Sequence, residues 1–391
     1  SADHVTCDPM QPVALAKASE LVYGVPGIPE YHFEKAKVIL NFGADFLETW
    51  VSPCGYARDW AQARRSEPHP RFIHVEPRLS LTAANSDWWI SSRPGSETLL
   101  ALAVLKLLVE WGRGQALSTE VRVGINGLVK DVTVADLARD CDVSEEDITR
   151  VARALNEATS SLVLAGGACA STAEPLGLFV LTSLLNLVLG NIGQTVELSS
   201  MRKPATSFNA LKSLVGDMRN DKVGLLMVWG ANPAFSSPGE LGFEDAQKKA
   251  GFVISFSSHL DETAIRSDLI LPSHTGLEEW GDSRVLPGVY GLKQPVMQPV
   301  FDTRSFGDSL LNVASLADGK SEAFGAKDFA QYLKASWQKL ASGLGADRLA
   351  GFEKFWNECL ERGGLFLTES GNRPKQKVNT DAFQVSLRSA Q

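Results

Sequence analysis

Two glycine turns and one charged turn carry the residue types in this chain best suited to holding a ligand. Gly43-Ala44-Asp45 follows the apolar run Val38-Ile39-Leu40-Asn41-Phe42, and Gly230-Ala231-Asn232-Pro233 follows Leu225-Leu226-Met227-Val228-Trp229. A glycine at such a place lets the backbone turn sharply or come close to a ligand. Glu76-Pro77-Arg78 leaves a third run, Arg71–Val75, with a carboxylate and a guanidinium at its tip. That carboxylate can accept from a sugar or a guanine edge and the arginine can fork onto phosphate, with a solvated ion pair as the plain alternative. Gly166-Gly167 ends another strand, Leu162–Ala165. Asp261 opens a short helix as a candidate N-cap before Glu262-Thr263, where free N–H groups suit an anion. Asp87 and Asp268 read as acceptors for backbone amides.

Other chemistry is not supported. Neither glycine turn belongs to a G-x-G-x-x-G or a P-loop pattern. His74, His259 and His274 have no metal-ligand spacing, and no serine or cysteine sits in a nucleophile elbow. Cys7, Cys54, Cys141, Cys169 and Cys359 form no C-x-x-C, so an iron–sulfur or structural zinc site from this chain alone is not expected. Cys141, Cys169 and Cys359 read as small buried hydrophobes. Glu278-Glu279-Trp280-Gly281-Asp282 reads as a solvated acidic loop, with partner docking as the alternative.

The elements that position these turns are written twice. Residues 38–94 and 223–272 repeat one β-turn-α-loop-β unit, each with a Thr-Ala-x-x-Ser-Asp segment, Thr82–Asp87 and Thr263–Asp268, and each closing at a proline, Pro94 or Pro272. Helices are expected at about Pro12–Tyr23, Ser96–Trp111, Ser144–Leu155, Pro175–Leu189, Phe306–Leu316, Ala326–Leu340 and Phe352–Arg362. Alternation of this kind predicts an α/β fold of two doubly wound, Rossmann-like domains related by a pseudo-twofold, with binding loops at the carboxyl ends of parallel strands. The boundaries expected are 1–160 for the first domain with its helical insert, 161–345 for the second, and 346–391 for a C-terminal helix and polar tail.

The bulk properties narrow the partners. The 391 residues are 44% apolar and 21% charged, with a net charge of −8, which argues against nucleic-acid and anionic-lipid binding. Leu176–Leu189 is short of a bilayer span and reads as a buried helix. The start at Ser1, with no signal peptide in view, reads as a processed protein or an excised piece.

Taken together these motifs resemble the molybdopterin oxidoreductase family, which includes dimethyl sulfoxide reductases, formate dehydrogenases and nitrate reductases. Asp261-Glu262-Thr263-Ala264 through Ser267-Asp268-Leu269-Ile270-Leu271-Pro272, then Glu278–Asp282, is similar to the family's T-E-T-A…A-D-[VI]-[VI]-L-P…E…G-T stretch. Gly230–Pro233 with Pro238 is similar to its G-x-N-P…P loop, Gly190-Asn191-Ile192-Gly193 to its G-N-I-G turn, and Glu76-Pro77-Arg78 with Thr82-Ala83 and Arg93–Ser96 to D-P-R…T-A…R-P-G-[ST]-D. In those relatives two α/β domains each bind a pterin guanine dinucleotide around molybdenum or tungsten. The resemblance implies that the residues nearest such a cofactor are Gly43, Ala44, Asp45, Glu76, Arg78, Gly166, Gly167, Gly230, Asn232, Pro233, Thr263 and Asp268, with Cys7 where relatives place a metal-binding cysteine or selenocysteine.

The family's cysteine cluster for a [4Fe–4S] centre and its closing β-barrel domain are not recognisable, and Gly43-Ala44-Asp45-Phe46 with the Tyr56-Ala57-Arg58 helix is similar to the molybdopterin-like domain of the alternative complex III iron–sulfur subunit. The resemblance therefore implies a structural subunit or domain of a respiratory electron-transfer complex, with no metal cofactor of its own and no catalytic residue to name. Its partners would be iron–sulfur and haem-carrying subunits, and its place the periplasm or outer face of the cytoplasmic membrane, with the cytoplasm as the alternative. The other reading is an oxidoreductase piece that binds molybdopterin guanine dinucleotide with molybdenum or tungsten.

Overall fold

A computed structural model describes residues 2–10, 12–172, 174–202, 208–318, 324–344, 351–367, 378, 379, 382, 383 and 385. The chain divides into two compact units, Gln11–Pro204 with Ser370–Gln391, and Ser1–Met10 with Ala205–Glu369.

In the first of these units, β1 (Ile28–Tyr31) leads to β2 (Val38–Phe42), β3 (Arg71–Val75), β4 (Trp88–Ile90), β5 (Ser161–Ala165) and β6 (Val196–Arg202). Four strands form a parallel sheet in the order β4-β3-β2-β5, with Val38 opposite both Arg71 and Ser161. Every residue of β2 and β5 is buried, the pattern of parallel strands covered on both faces. The helix Pro175–Leu189 is apolar nearly all round and packs on β5, on Val13–Tyr23 and on Glu97–Glu110, which explains its continuous leucines. It ends at Gly190, whose φ of 77° makes the left-handed cap.

Strand β5 ends the sheet, and its outer edge is closed by side chains. Asn186 Oδ1 accepts from Val163 N–H at 3.0 Å and Asn186 Nδ2 donates to the Val163 carbonyl at 2.7 Å. Thr195 Oγ1 donates to the Ser161 carbonyl at 2.5 Å. A buried asparagine in an apolar helix thus satisfies an edge that no further strand among the described residues covers. β1 and β6 pair antiparallel as a separate two-stranded sheet.

The boundary expected at 160/161 is displaced. Ser161–Ala165 adds to the sheet of Val38–Phe42, and the unit continues to Pro204. The sequence pattern offered the wrong break because β5 follows a polar helix and starts a fresh β-α stretch, yet pairs backwards across more than a hundred residues.

The other unit holds β7 (Leu226–Val228), β8 (Val253–Ser255) and β9 (Leu269–Ile270), a parallel sheet in that order, over a core of Leu211, Val215, Met218, Phe243 and Ala246. It also holds a sheet that sequence reasoning did not expect: β10 (Gly281–Leu286), β11 (Val289–Lys293) and β12 (Gly364–Phe366), all antiparallel. This sheet carries its own core of Leu292, Leu333, Trp337, Phe355, Trp356 and Cys359. Helices run over Phe306–Asp318, Phe329–Leu344 and Phe352–Arg362, close to expectation. Glu278, read as a solvated loop residue, is instead buried and accepts from Thr275 N–H and Val300 N–H, both at 3.0 Å. Most of the polar tail expected within 346–391 lies outside the described residues. No helix among the described residues is long and apolar enough to cross a membrane.

Candidate functional site

Parallel pairing brings the first set of candidate residues to one edge, the carboxyl ends of β2, β3 and β5. Asn41 and His74 are cross-strand neighbours. The Asn41 amide is oriented by Ala44: Oδ1 accepts from Ala44 N–H at 3.0 Å and Nδ2 donates to the Ala44 carbonyl at 2.7 Å. The second Nδ2 proton goes to His74 Nδ1 at 3.1 Å, so that nitrogen carries none and Nε2 holds the proton. His74 Nε2 then donates to Glu76 Oε2 at 3.1 Å, and Arg78 Nε donates to Glu76 Oε1 at 3.1 Å. Asn41, His74 and Glu76 are fully buried, while the Arg78 side chain is mostly exposed. Burial pushes the Glu76 carboxyl up, but hydrogen bonds from His74, Ser80 and Arg78 together overcome it and hold it below the ordinary glutamate value. Nearby Glu97 is shifted the other way: burial pushes it up and only Ser92, at 3.1 Å, and backbone N–H groups oppose it.

The glycines at this edge close on each other. A Cβ on Gly167 would sit 2.1 Å from the Gly43 carbonyl oxygen, one on Gly43 would sit 2.5 Å from Cys169 Sγ, and one on Gly166 would sit 2.3 Å from Trp50 Nε1. Gly43 and Gly167 are also in the left-handed region, at φ 67° and 51°. The absent Cβ atoms therefore serve contact between the chain's own loops. Trp50 belongs to a buried ring cluster, with centroids 5.5 Å from Tyr31 and 5.6 Å from Tyr56. Asp45 is turned to its own loop, where its Oδ2 accepts from Thr49 at 2.6 Å.

The second set lies in the other unit. Gly230, at φ 63°, has open space where a Cβ would stand. Asn232 bridges two loops: its Oδ1 accepts from Thr263 Oγ1 at 2.8 Å and from Thr263 N–H at 3.2 Å, and its Nδ2 donates to Glu262 Oε2 at 2.7 Å. Pro233, buried, opens a single helical turn. Asp261 Oδ1 accepts from Thr263 N–H at 3.1 Å and Ala264 N–H at 2.8 Å. It is the cap expected, but those amides are taken and not left for an anion. Asp268 accepts from Val253 N–H at 2.7 Å, a role that fastens β8. Cys7 Sγ lies 4.0 Å from Ser236 Oγ, beside the same loop. Among the described residues, no group of three or more His, Cys, Asp or Glu is placed to hold a metal ion.

Cys169 is the buried thiol the sequence suggests, and His74, for which the sequence leaves surface and core roles open, is buried; Asn41, Trp50 and Glu97 carry no such expectation. The signal for Asn41 was available: it is the one polar residue in an otherwise apolar strand. Trp50 had a weaker one, the spacing of Phe46, Trp50, Tyr56 and Trp60 along one stretch.

The described fold is thus a mixed α/β one, with parallel sheets and glycine turns at their carboxyl edges. Residues 17–306 match the molybdopterin oxidoreductase family model, and the chain belongs to that family. It is 29% identical over 357 residues to the menaquinone reductase, molybdopterin-binding-like subunit of Nitratidesulfovibrio vulgaris, covering 86% of this chain and 50% of that protein. It is 23% identical over 290 residues to the thiosulfate reductase molybdopterin-containing subunit PhsA of Salmonella typhimurium, covering 61% and 38%. Among solved structures, acetylene hydratase from Pelobacter acetylenicus superposes with a TM-score of 0.63 at 13% identity, over 82% of this chain and 52% of that one. That likeness is one of fold. The chain thus spans half or less of the curated relatives' length.

Proposed function

We propose that this chain is a scaffold in a respiratory electron-transfer complex, with no metal cofactor of its own. One observation carries the reading. At the edge where the family's first dinucleotide would lie, Gly43, Gly166 and Gly167 are filled by Cys169, Trp50 and each other, and Glu76 is locked to His74 and Arg78. Those residues do not fit such a group. In the other unit, Asn232 and Thr263 spend their polar atoms on each other, on Glu262 and on Ala234 N–H. On this reading the two parallel sheets are pseudo-twofold-related domains of an inherited fold, and the edge at Gly43, Gly166 and Gly167 has become loop-to-loop packing. Support for the respiratory setting comes from the relative named as a menaquinone reductase subunit. The partners we propose carry iron–sulfur clusters and haem, and the setting is the periplasm or the outer face of the cytoplasmic membrane. Metal analysis and pterin fluorescence of the native protein test the proposal. We expect neither molybdenum nor tungsten in stoichiometric amount, and either metal at one per chain overturns it.

A second reading rests on Cys7, whose thiol lies beside the Asn232–Ser236 loop within one unit. There the chain would be a catalytic oxidoreductase piece holding molybdopterin guanine dinucleotide, with Cys7 on the molybdenum or tungsten. Replacing Cys7 by serine would then strip metal from the purified protein, whereas a scaffold has none to lose.

A further inference from the structure

Within the unit that holds β7–β12, a cleft of about 580 Å³ lies between Trp229, just past β7, and the β10–β11 hairpin. Its walls include Trp280, Leu310 and Phe329, and its volume is in the range of small-molecule sites. Trp229 lies flat on Phe306, with centroids 4.6 Å apart and planes 8° apart. Phe306 is held in turn by Phe256, edge-on at 4.8 Å and 85°. Trp229 remains 50% exposed although a neighbouring ring has already oriented it.

The polar rim narrows the ligand. Lys293 Nζ pairs with Glu279 Oε1 at 3.0 Å, and Asp282 Oδ2 accepts from Trp337 Nε1 at 2.9 Å. One ammonium and two carboxylates leave the rim net negative, which disfavours an anion. Lys293 and the Ser283 hydroxyl are donors at the same rim, suited to ring carbonyl oxygens.

From this geometry we propose that the cleft binds an uncharged, flat aromatic ring system bearing carbonyl oxygens, stacked against Trp229. The proposal goes beyond the scaffold reading and does not depend on it.

The test is calorimetric titration of the whole chain with 2,3-dimethyl-1,4-naphthoquinone, whose blocked ring positions spare the exposed Cys54 from alkylation. The comparator is 2-naphthalenesulfonate, a flat ring of similar size carrying a negative charge. We expect saturable one-to-one binding of the quinone and at least tenfold weaker binding of the sulfonate. Trp229→Ala is expected to weaken the quinone tenfold or more. Leu310→Trp, which fills the cleft and leaves Trp229 in place, is expected to do the same, whereas Trp111→Ala in the other unit changes nothing. Absence of saturable binding, equal binding of the sulfonate, or a Trp229→Ala and Leu310→Trp pair that binds like the parent protein would each overturn the proposal.

Discussion

Thr82 and Thr263 make the same hydrogen bond in the two copies of the repeat. Each hydroxyl accepts the backbone N–H four residues past the turn glycine, Leu47 at 3.4 Å and Ala234 at 3.1 Å. Asp87 and Asp268 are a second such pair, accepting from Phe72 N–H and Val253 N–H at 2.7 Å each. The shared Thr-Ala-x-x-Ser-Asp segment is therefore a fastening device that ties a loop and a strand start to the turn before them. Asp268→Ala should expose the Val253 amide to exchange and cost about 1–3 kcal/mol, the penalty for an unsatisfied buried donor. Asp87→Ala should do the same at Phe72. Hydrogen exchange read residue by residue checks both, and retained protection at Phe72 and Val253 would count against the role.

Much of this is legible in the sequence alone. Period and composition mark β2, β3 and β7, and the duplicated Asp reads as a backbone acceptor, because strand burial and local capping are properties of neighbouring residues. What stayed hidden depends on register and on long-range packing. His74 meets Asn41 only because β2 and β3 align them, and Glu76 joins on the same face two residues later. Glycine is ambiguous in principle: the same lack of a Cβ leaves open space at Gly230 and admits another loop at Gly43. The β10–β11 hairpin was overlooked although Pro287-Gly288 lies at its turn, because its flanks alternate weakly.

The contrast between closed and open glycines yields a paired test. Gly230→Ala should cost only the left-handed backbone penalty, about 1–2 kcal/mol, since nothing lies within reach of the new methyl group. Gly167→Ala has the same backbone penalty plus a methyl group 2.1 Å from the Gly43 carbonyl, so about 3–5 kcal/mol is expected, at the severe end of single substitutions. Denaturant unfolding of the two variants checks the ranking. Equal costs would mean that the Gly43–Gly167 contact is looser than described.

Glu76 and Glu97 should leave opposite marks on the pH dependence of stability. The Glu76 carboxyl is held below its unfolded value, so its contribution is complete above that value and is lost as pH falls through the folded one. The Glu97 carboxyl is raised by burial, so stability falls as pH rises from the unfolded value through the folded one. Glu97→Gln is thus expected to stabilise the protein at neutral pH, with the gain vanishing in acid where Glu97 is protonated in both states. Glu76→Gln is expected to destabilise at neutral pH, and its deficit should shrink as the medium is acidified. Chemical unfolding at pH 7 and near pH 4 distinguishes the two signs.

The five cysteines divide by access. Cys54 is exposed and Cys7 half-buried, while Cys141, Cys169 and Cys359 are buried with thiols that burial pushes up. A thiol reacts as thiolate, so burial slows it twice, by excluding the reagent and by holding the proton. Native protein treated with a disulfide reagent should lose Cys54 first and Cys7 more slowly, with the remaining three appearing only on unfolding. Cys169 is the sharpest case, because its Sγ also donates to the Val75 carbonyl at 3.5 Å and fills the space against Gly43. Mass mapping of labelled peptides reads the order directly, and early labelling of Cys169 would mean that the first glycine edge opens in solution.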